Sequence, residues 1–151
     1  MATTAAINQS RVRLGALVGG VVFTVWTVFN AYVVAPVIEH RSRVAAALDA
    51  GLFLKEPRLP FPAFFLVWTI SLIVVAYGMT WAYAGMRATY GAGARTAAKL
   101  GLAVGFAMAF PLEFAHAVFQ GLVPAFWITW MIEMGVGGLL AAVAAAWVYR
   151  D

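Results

Sequence analysis

Four apolar runs, each long enough to cross a bilayer, constrain this chain more than any other feature. They extend from about Leu14 to Pro36, Phe61 to Tyr83, Leu100 to Leu122 and Ala125 to Tyr149. At about 1.5 Å of rise per residue, each covers the ~30 Å of hydrocarbon. Backbone in hydrocarbon must satisfy its own hydrogen bonds, which makes the runs helices. The expected fold is all-α: a polytopic four-transmembrane-helix bundle forming a single transmembrane domain over residues 1–151. Composition agrees, with 64% hydrophobic and 11% charged residues, against about 25% charged in a typical soluble domain. A soluble chain of this size has too much surface to hide so many apolar groups.

Cysteine is absent. That excludes disulfides, thiolate metal sites and cysteine nucleophiles. The net charge of +4 comes from basic residues flanking the apolar runs. This is the pattern of membrane-surface anchors, not of a nucleic-acid interface. Arg11 and Arg13 resemble the start of a signal peptide, but the following run exceeds the about 7–15 residues of such a segment. The first run is therefore read as a retained helix.

The connections differ in kind. Val37 to Gly51 carries Val37, Val44 and Leu48 at helical spacing, which predicts a short amphipathic surface segment outside the cytoplasm. Glu39 and His40, next to Arg41 and Arg43, read as an interfacial salt-bridge group. Pro57, Pro60 and Pro62 impose an extended approach to the second helix. A basic, glycine-containing loop is expected over Gly85 to Lys99. The third and fourth helices are joined by a tight turn around Gly121 and Pro124, so they are antiparallel neighbours.

Four spans put both termini on one side with the second connection. That side carries six basic residues: Arg11, Arg13, Arg87, Arg95, Lys99 and Arg150. The other carries four: Arg41, Arg43, Lys55 and Arg58. The excess predicts cytoplasmic N- and C-termini. Trp81, Tyr83, Trp147 and Tyr149 are expected in the inner aromatic belt, Tyr32 and Trp127 in the outer one.

The second hairpin echoes the first. Arg13-Leu14-Gly15 with Val18-Gly19 matches Lys99-Leu100-Gly101 with Val104-Gly105. Pro62-Ala63-Phe64 with Trp68 and Ile70 matches Pro124-Ala125-Phe126 with Trp130 and Ile132. This suggests a duplicated helical hairpin in parallel orientation. At the mismatches, Thr27 aligns with Glu113, Asn30 with His116 and Ser71 with Glu133.

Those mismatches mark the candidate site. Glu113, His116 and Gln120 share one face of the third helix. Glu133 lies on the fourth, as far from the connecting turn as Glu113, so the two carboxyls are expected at one depth. Gly101, Gly105 and Ala109 form a small-residue stripe leading to Glu113; Gly137, Ala141 and Ala145 form another leading from Glu133. If these stripes face each other, so do the carboxyls. Both cannot stay ionised there without compensation, from a shared proton or from His116. Asn30 and Thr27 on the first helix lie in the same half of the membrane. Intramembrane ionisable groups mark ligand, ion or proton sites by default.

Other chemistries fit less well. Glu113, His116 and Glu133 form the candidate metal set, but a di-metal bundle needs a second Glu-x-x-His that the chain lacks. His116 alone offers one axial position to a haem or chlorophyll. The cofactor is otherwise unassigned. No nucleophile–base pair is readable. The leading expectation is a non-enzymatic membrane protein binding a partner subunit, a lipid or a small ligand. The alternatives are an oligomeric proton-coupled small transporter and a metal-dependent membrane enzyme. Expected partners are the lipid bilayer and a homo-oligomer or larger membrane complex, with no nucleic acid.

The glycine-rich first helix, the Gly51-Leu52-Phe53-Leu54-Lys55-Glu56-Pro57-Arg58 segment and the Met134-Gly135-Val136-Gly137-Gly138 stretch resemble small bacterial four-helix integral membrane proteins of uncharacterised function. The resemblance covers most of the chain. It implies an inner-membrane location and no particular activity.

Overall fold

The computed structural model describes residues 7–39, 49, 51, 58–119 and 124–149. The first span comprises α1 (Gln9–Phe29), a π-helical turn (Asn30–Val34) and α2 (Ala35–Glu39). Then come α3 (Phe61–Tyr90), α4 (Ala94–Phe119) and α5 (Pro124–Val148). The first span, α3, α4 and α5 are each long and apolar enough to cross a membrane. All-α architecture with four membrane-spanning helices is thus the observed fold. Large apolar side chains such as Val25, Leu66, Val74 and Phe106 stand exposed on the outside, as a lipid-facing surface requires.

The helices overrun the expected boundaries. The first span begins at Gln9 and α3 continues to Tyr90, while α4 begins at Ala94. The connection expected over Gly85 to Lys99 shrinks to Gly91–Gly93. Gly91 and Gly93 take positive φ there, at 84° and 122°, where a Cβ would be strained. The charged residues that suggested a loop, Arg87, Arg95 and Lys99, instead decorate helix ends. Alanine, methionine and arginine favour helix whether in lipid or water, so hydropathy alone misplaced the ends. Of the expected surface segment, residues 37–39 close the first span and Asp49 is helical; 40–48 and 50 lie outside the described residues.

Small residues decide which helices meet. On α5, Gly137, Ala141 and Ala145 face the first span. A Cβ on Gly137 would collide with the Phe23 ring, and one on Gly19 would lie 2.9 Å from the Ala141 carbonyl oxygen. The adjacent row, Met134, Gly138 and Ala142, faces α4. A Cβ on Gly101 would run into the Gly138 carbonyl, and one on Gly105 into that of Met134. The expected pairing of the two stripes is therefore corrected: the Gly137 row packs on the first span, and α4 uses the neighbouring row. A helix with small residues on two faces can approach two neighbours closely, so α5 lies between the first span and α4.

The first span packs closely on both α3 and α5, whereas α3 and α4 touch little. A duplicated hairpin with two-fold symmetry would make the α3–α4 contact equal to that of the first span with α5. The structure departs from that symmetry.

At the end carrying the termini, Tyr83 and Tyr149 cross edge to face with centroids 6.3 Å apart. The Tyr149 hydroxyl accepts from the Asn8 amide at 3.0 Å, and the Tyr83 hydroxyl from the Gly93 amide at 2.8 Å. Arg87 donates to the Tyr149 carbonyl and lies over its ring. These tyrosines are buried, not belt residues as expected; Trp81 and Trp147 are 52% and 65% exposed and remain belt candidates. Trp127, expected in the other belt, is buried as well, while Tyr32 is exposed.

Gly105→Val is expected to destabilise the bundle by about 1–3 kcal/mol through overpacking against α5. Gly78→Ala, with nothing within 4 Å of the new Cβ, should leave stability unchanged or raised. Thermal unfolding in mild detergent compares the two.

Candidate functional site

The interface between the first span and α5 carries a polar column at the end distal to the termini. Asn30 is fully buried. Its Nδ2 donates to Glu133 Oε2 at 2.8 Å, while the Trp26 indole donates to the Glu133 backbone carbonyl at 2.9 Å. Glu133 is thus gripped through side chain and backbone by one neighbouring helix.

A π-turn starts at the residue that makes this grip. It begins at Asn30, and the Ala35 amide bonds back to the Asn30 carbonyl. The extra residue in the turn rotates the rest of the span. Ala35 becomes the next buried position, and Glu39 reaches α5, where the Thr129 hydroxyl meets its Oε1. Thr129 is itself fully buried. Such π-turns concentrate at functional sites. Glu39 therefore belongs to the site's distal edge; its expected pairing with Arg41 and Arg43 lies outside the described residues.

Glu113 is buried on α4, with its Oε2 3.5 Å from His116 Nδ1. That separation is within ion-pair range but is not a formed hydrogen bond. The imidazole packs on the Trp127 ring at 4.8 Å, which joins Phe126 and Trp130 in an aromatic cluster. Pro111, one turn before His116, interrupts the α4 backbone ladder without ending the helix.

The expectation of equal depth is corrected. The contacts of Gly101 with Gly138 and Gly105 with Met134 set an antiparallel register in which Glu133 lies about two turns below Glu113, roughly 10 Å along the axis. Nevertheless both carboxyls border one cavity.

That cavity, of about 750 Å³, fills the gap where α3 and α4 diverge. Thr27, Ala31 and Tyr32 of the first span form one wall; Phe61, Phe64, Phe65 and Trp68 of α3 form another. Met108, Leu112 and Glu113 of α4 and Trp130, Glu133 and Met134 of α5 complete it. The lining is mostly apolar, with few polar groups, and its volume suits a ligand of drug size. Thr27 Oγ1 and the Trp68 indole Nε1 are buried and have no hydrogen-bond partner among the described residues.

Of the expected site residues, Thr27, Glu113 and Glu133 line the cavity, Asn30 stands behind Glu133, and His116 stands behind Glu113. Gln120 lies outside the described residues. The proposed metal set does not assemble: among the described residues no three His, Cys, Asp or Glu side chains come together to hold an ion. Ser71, which the repeat aligned with Glu133, is exposed and bonds its own helix at Val67. Sequence reading missed Trp26, Thr129 and the α3 aromatics. Phe61, Phe64, Phe65 and Trp68 do recur at one-helix-face spacing, a signal available in the sequence but shared with ordinary lipid-facing aromatics.

A double-mutant cycle of Asn30→Ala with Glu133→Ala should give a coupling energy of about 0.6–1.7 kcal/mol, the measured range for intramembrane hydrogen bonds. Unfolding free energies of the four proteins in one detergent supply it; a coupling of zero contradicts the contact.

Comparison with protein-family models, curated proteins and solved structures finds no match to this chain.

Proposed function

We propose that this is a non-enzymatic multi-pass protein of the bacterial inner membrane that holds a small, largely apolar ligand in the cavity between α3 and α4. The termini face the cytoplasm, following the basic-residue excess on their side, and the cavity lies in the outer half of the bilayer. The single observation supporting this reading is the cavity itself: about 750 Å³, bordered by all four spans and by two buried carboxyls.

Burial of ionisable groups in a membrane core is costly, on the order of 2.5–3.5 kcal/mol each at the centre. A structural hydrogen bond such as Asn30 to Glu133 contributes only ~0.6 kcal/mol on average. Several cavity-lining side chains, among them Phe61, Phe64 and Leu112, are also exposed at the molecular surface. A ligand partitioned into the bilayer would therefore enter sideways from lipid.

Ala31 lines the cavity and is half-buried, so Ala31→Trp should fill the space without rebuilding the core. Native mass spectrometry of the protein released from mild detergent should show a retained small molecule on the wild type. The Ala31→Trp protein should be folded and carry at least tenfold less. Equal retention by the two proteins would overturn the reading.

A further inference from the structure

We propose that the occupant of this cavity is an acyl chain of an anionic membrane lipid, whose phosphate headgroup stays at the distal surface beside Arg58 and the start of α3. This rests on the cavity being a ligand site and adds the class of molecule it takes.

The form of the cavity comes first. On the first span its lining runs from Thr27 to Pro36, about 13 Å at 1.5 Å of rise per residue. On α3 it starts at Phe61, the first residue of that helix. The space therefore extends along the helices, the direction lipid chains take, and reaches the distal end where α3 begins. Its walls are mostly rings and aliphatic chains, and Phe61, Phe64 and Leu112 are exposed on the lipid side. A chain filling the space gains dispersion contacts that facing walls across a void lack. The two carboxyls on its border make no demand on the charge of a ligand. Asn30 holds Glu133, His116 stands beside Glu113, and both carboxyls take part in further interactions. A charged group placed among these walls would lose its hydration without gaining a counter-charge. Any charge on the ligand therefore lies outside the cavity.

The mouth supplies the partner for that charge. Arg58, three residues before Phe61, is exposed and has no ion pair among the described residues. Behind it α3 opens at Pro60 with no side-chain cap and no acidic residue in its first turn. The amides of Phe61 and Ala63 thus stand uncapped at the start of a 30-residue helix, a position that favours phosphate. Glu39, at the same end, is engaged by Thr129. A guanidinium binds a phosphate through charge-assisted hydrogen bonds. The two halves of the site are continuous in the chain, since Arg58 leads directly into the cavity-lining Phe61, Phe64 and Phe65. A free phosphate would use the mouth and leave the cavity empty. A lipid without net charge would fill the cavity and leave Arg58 uncompensated. An anionic lipid uses both.

The test offers the delipidated full-length protein, in mild detergent, an equimolar mixture of phosphatidylglycerol and phosphatidylcholine with the same acyl chains. Native mass spectrometry then counts each lipid retained. Phosphatidylglycerol is expected to be retained at least fivefold over phosphatidylcholine. Arg58→Gln, at an exposed position, should keep the fold and lower this preference below about twofold. The double variant Arg95→Gln with Lys99→Gln, at exposed positions on the opposite end, should leave the preference intact. Ala31→Trp should reduce retention of both lipids at least tenfold. Equal retention of the two lipids by the wild type, both lost in Ala31→Trp, would overturn the anionic class while leaving the cavity as a ligand site. A preference that survives Arg58→Gln, or that disappears with Arg95 and Lys99, would overturn the headgroup site in the same way. Retention of both lipids unchanged by Ala31→Trp would put them on the outer surface and overturn the proposal and the ligand cavity together.

Discussion

The close approach of α5 to the first span, made through Gly19 and Gly137 and held at its distal end by Asn30 on Glu133, sets the rest of this structure. Helices in lipid gain no hydrophobic drive toward one another, so association depends on how near backbones come. The residues of α5 are small on two adjacent faces. That lets it serve two neighbours, the first span and α4, at the same time. The aromatic-rich α3 has no such stripe for α4, and packs on the first span instead. The gap left between α3 and α4 is the consequence, and it opens at the end where the carboxyls lie.

The two ends of the molecule solve opposite problems. At the termini, Tyr83, Tyr149, Asn8 and Arg87 tie three of the spans together through backbone groups freed at helix ends. At the distal end, the polar groups of Asn30, Glu113 and Glu133 are inside the bundle together with the rings of Phe126 and Trp127, while Phe61 and Phe64 stand at its surface. Polar side chains in such a place cost free energy unless they are partnered. The π-turn at Asn30 is the local distortion that lets the first span deliver both Asn30 and Glu39 to α5.

Much of this was legible in the sequence. Four helices follow from hydropathy and length, and Glu113, Glu133 and Thr27, polar residues within apolar runs, do share a cavity. Three things were not legible. Helix ends were misplaced because hydropathy reports the lipid-facing part of a helix, whereas Arg87, Arg95 and Lys99 extend α3 and α4 beyond it. The facing of the small-residue rows was misassigned because Gly137 and Gly138 are neighbours in sequence, and a rotation of one residue decides which partner each meets. The relative depth of the carboxyls depends on the register of two helices, which counting from a turn does not determine. The π-turn had no sequence signal at all, since Asn30-Ala31-Tyr32-Val33-Val34 reads equally well as regular helix.

The central claim is that α3 and α4 diverge at the distal end while converging at Gly91–Gly93. The chain has no cysteine, so spin labels can be placed without background. Electron–electron distances between labels at Val67 and Val118, exposed and at one level in the distal half, should exceed those between labels at Met86 and Lys99 near the turn. The distal pair should also exceed the about 8–10 Å that separates the axes of packed helices, after allowance for label length. Equal, short distances at both levels would mean a closed bundle with no room between these helices, and would contradict the account.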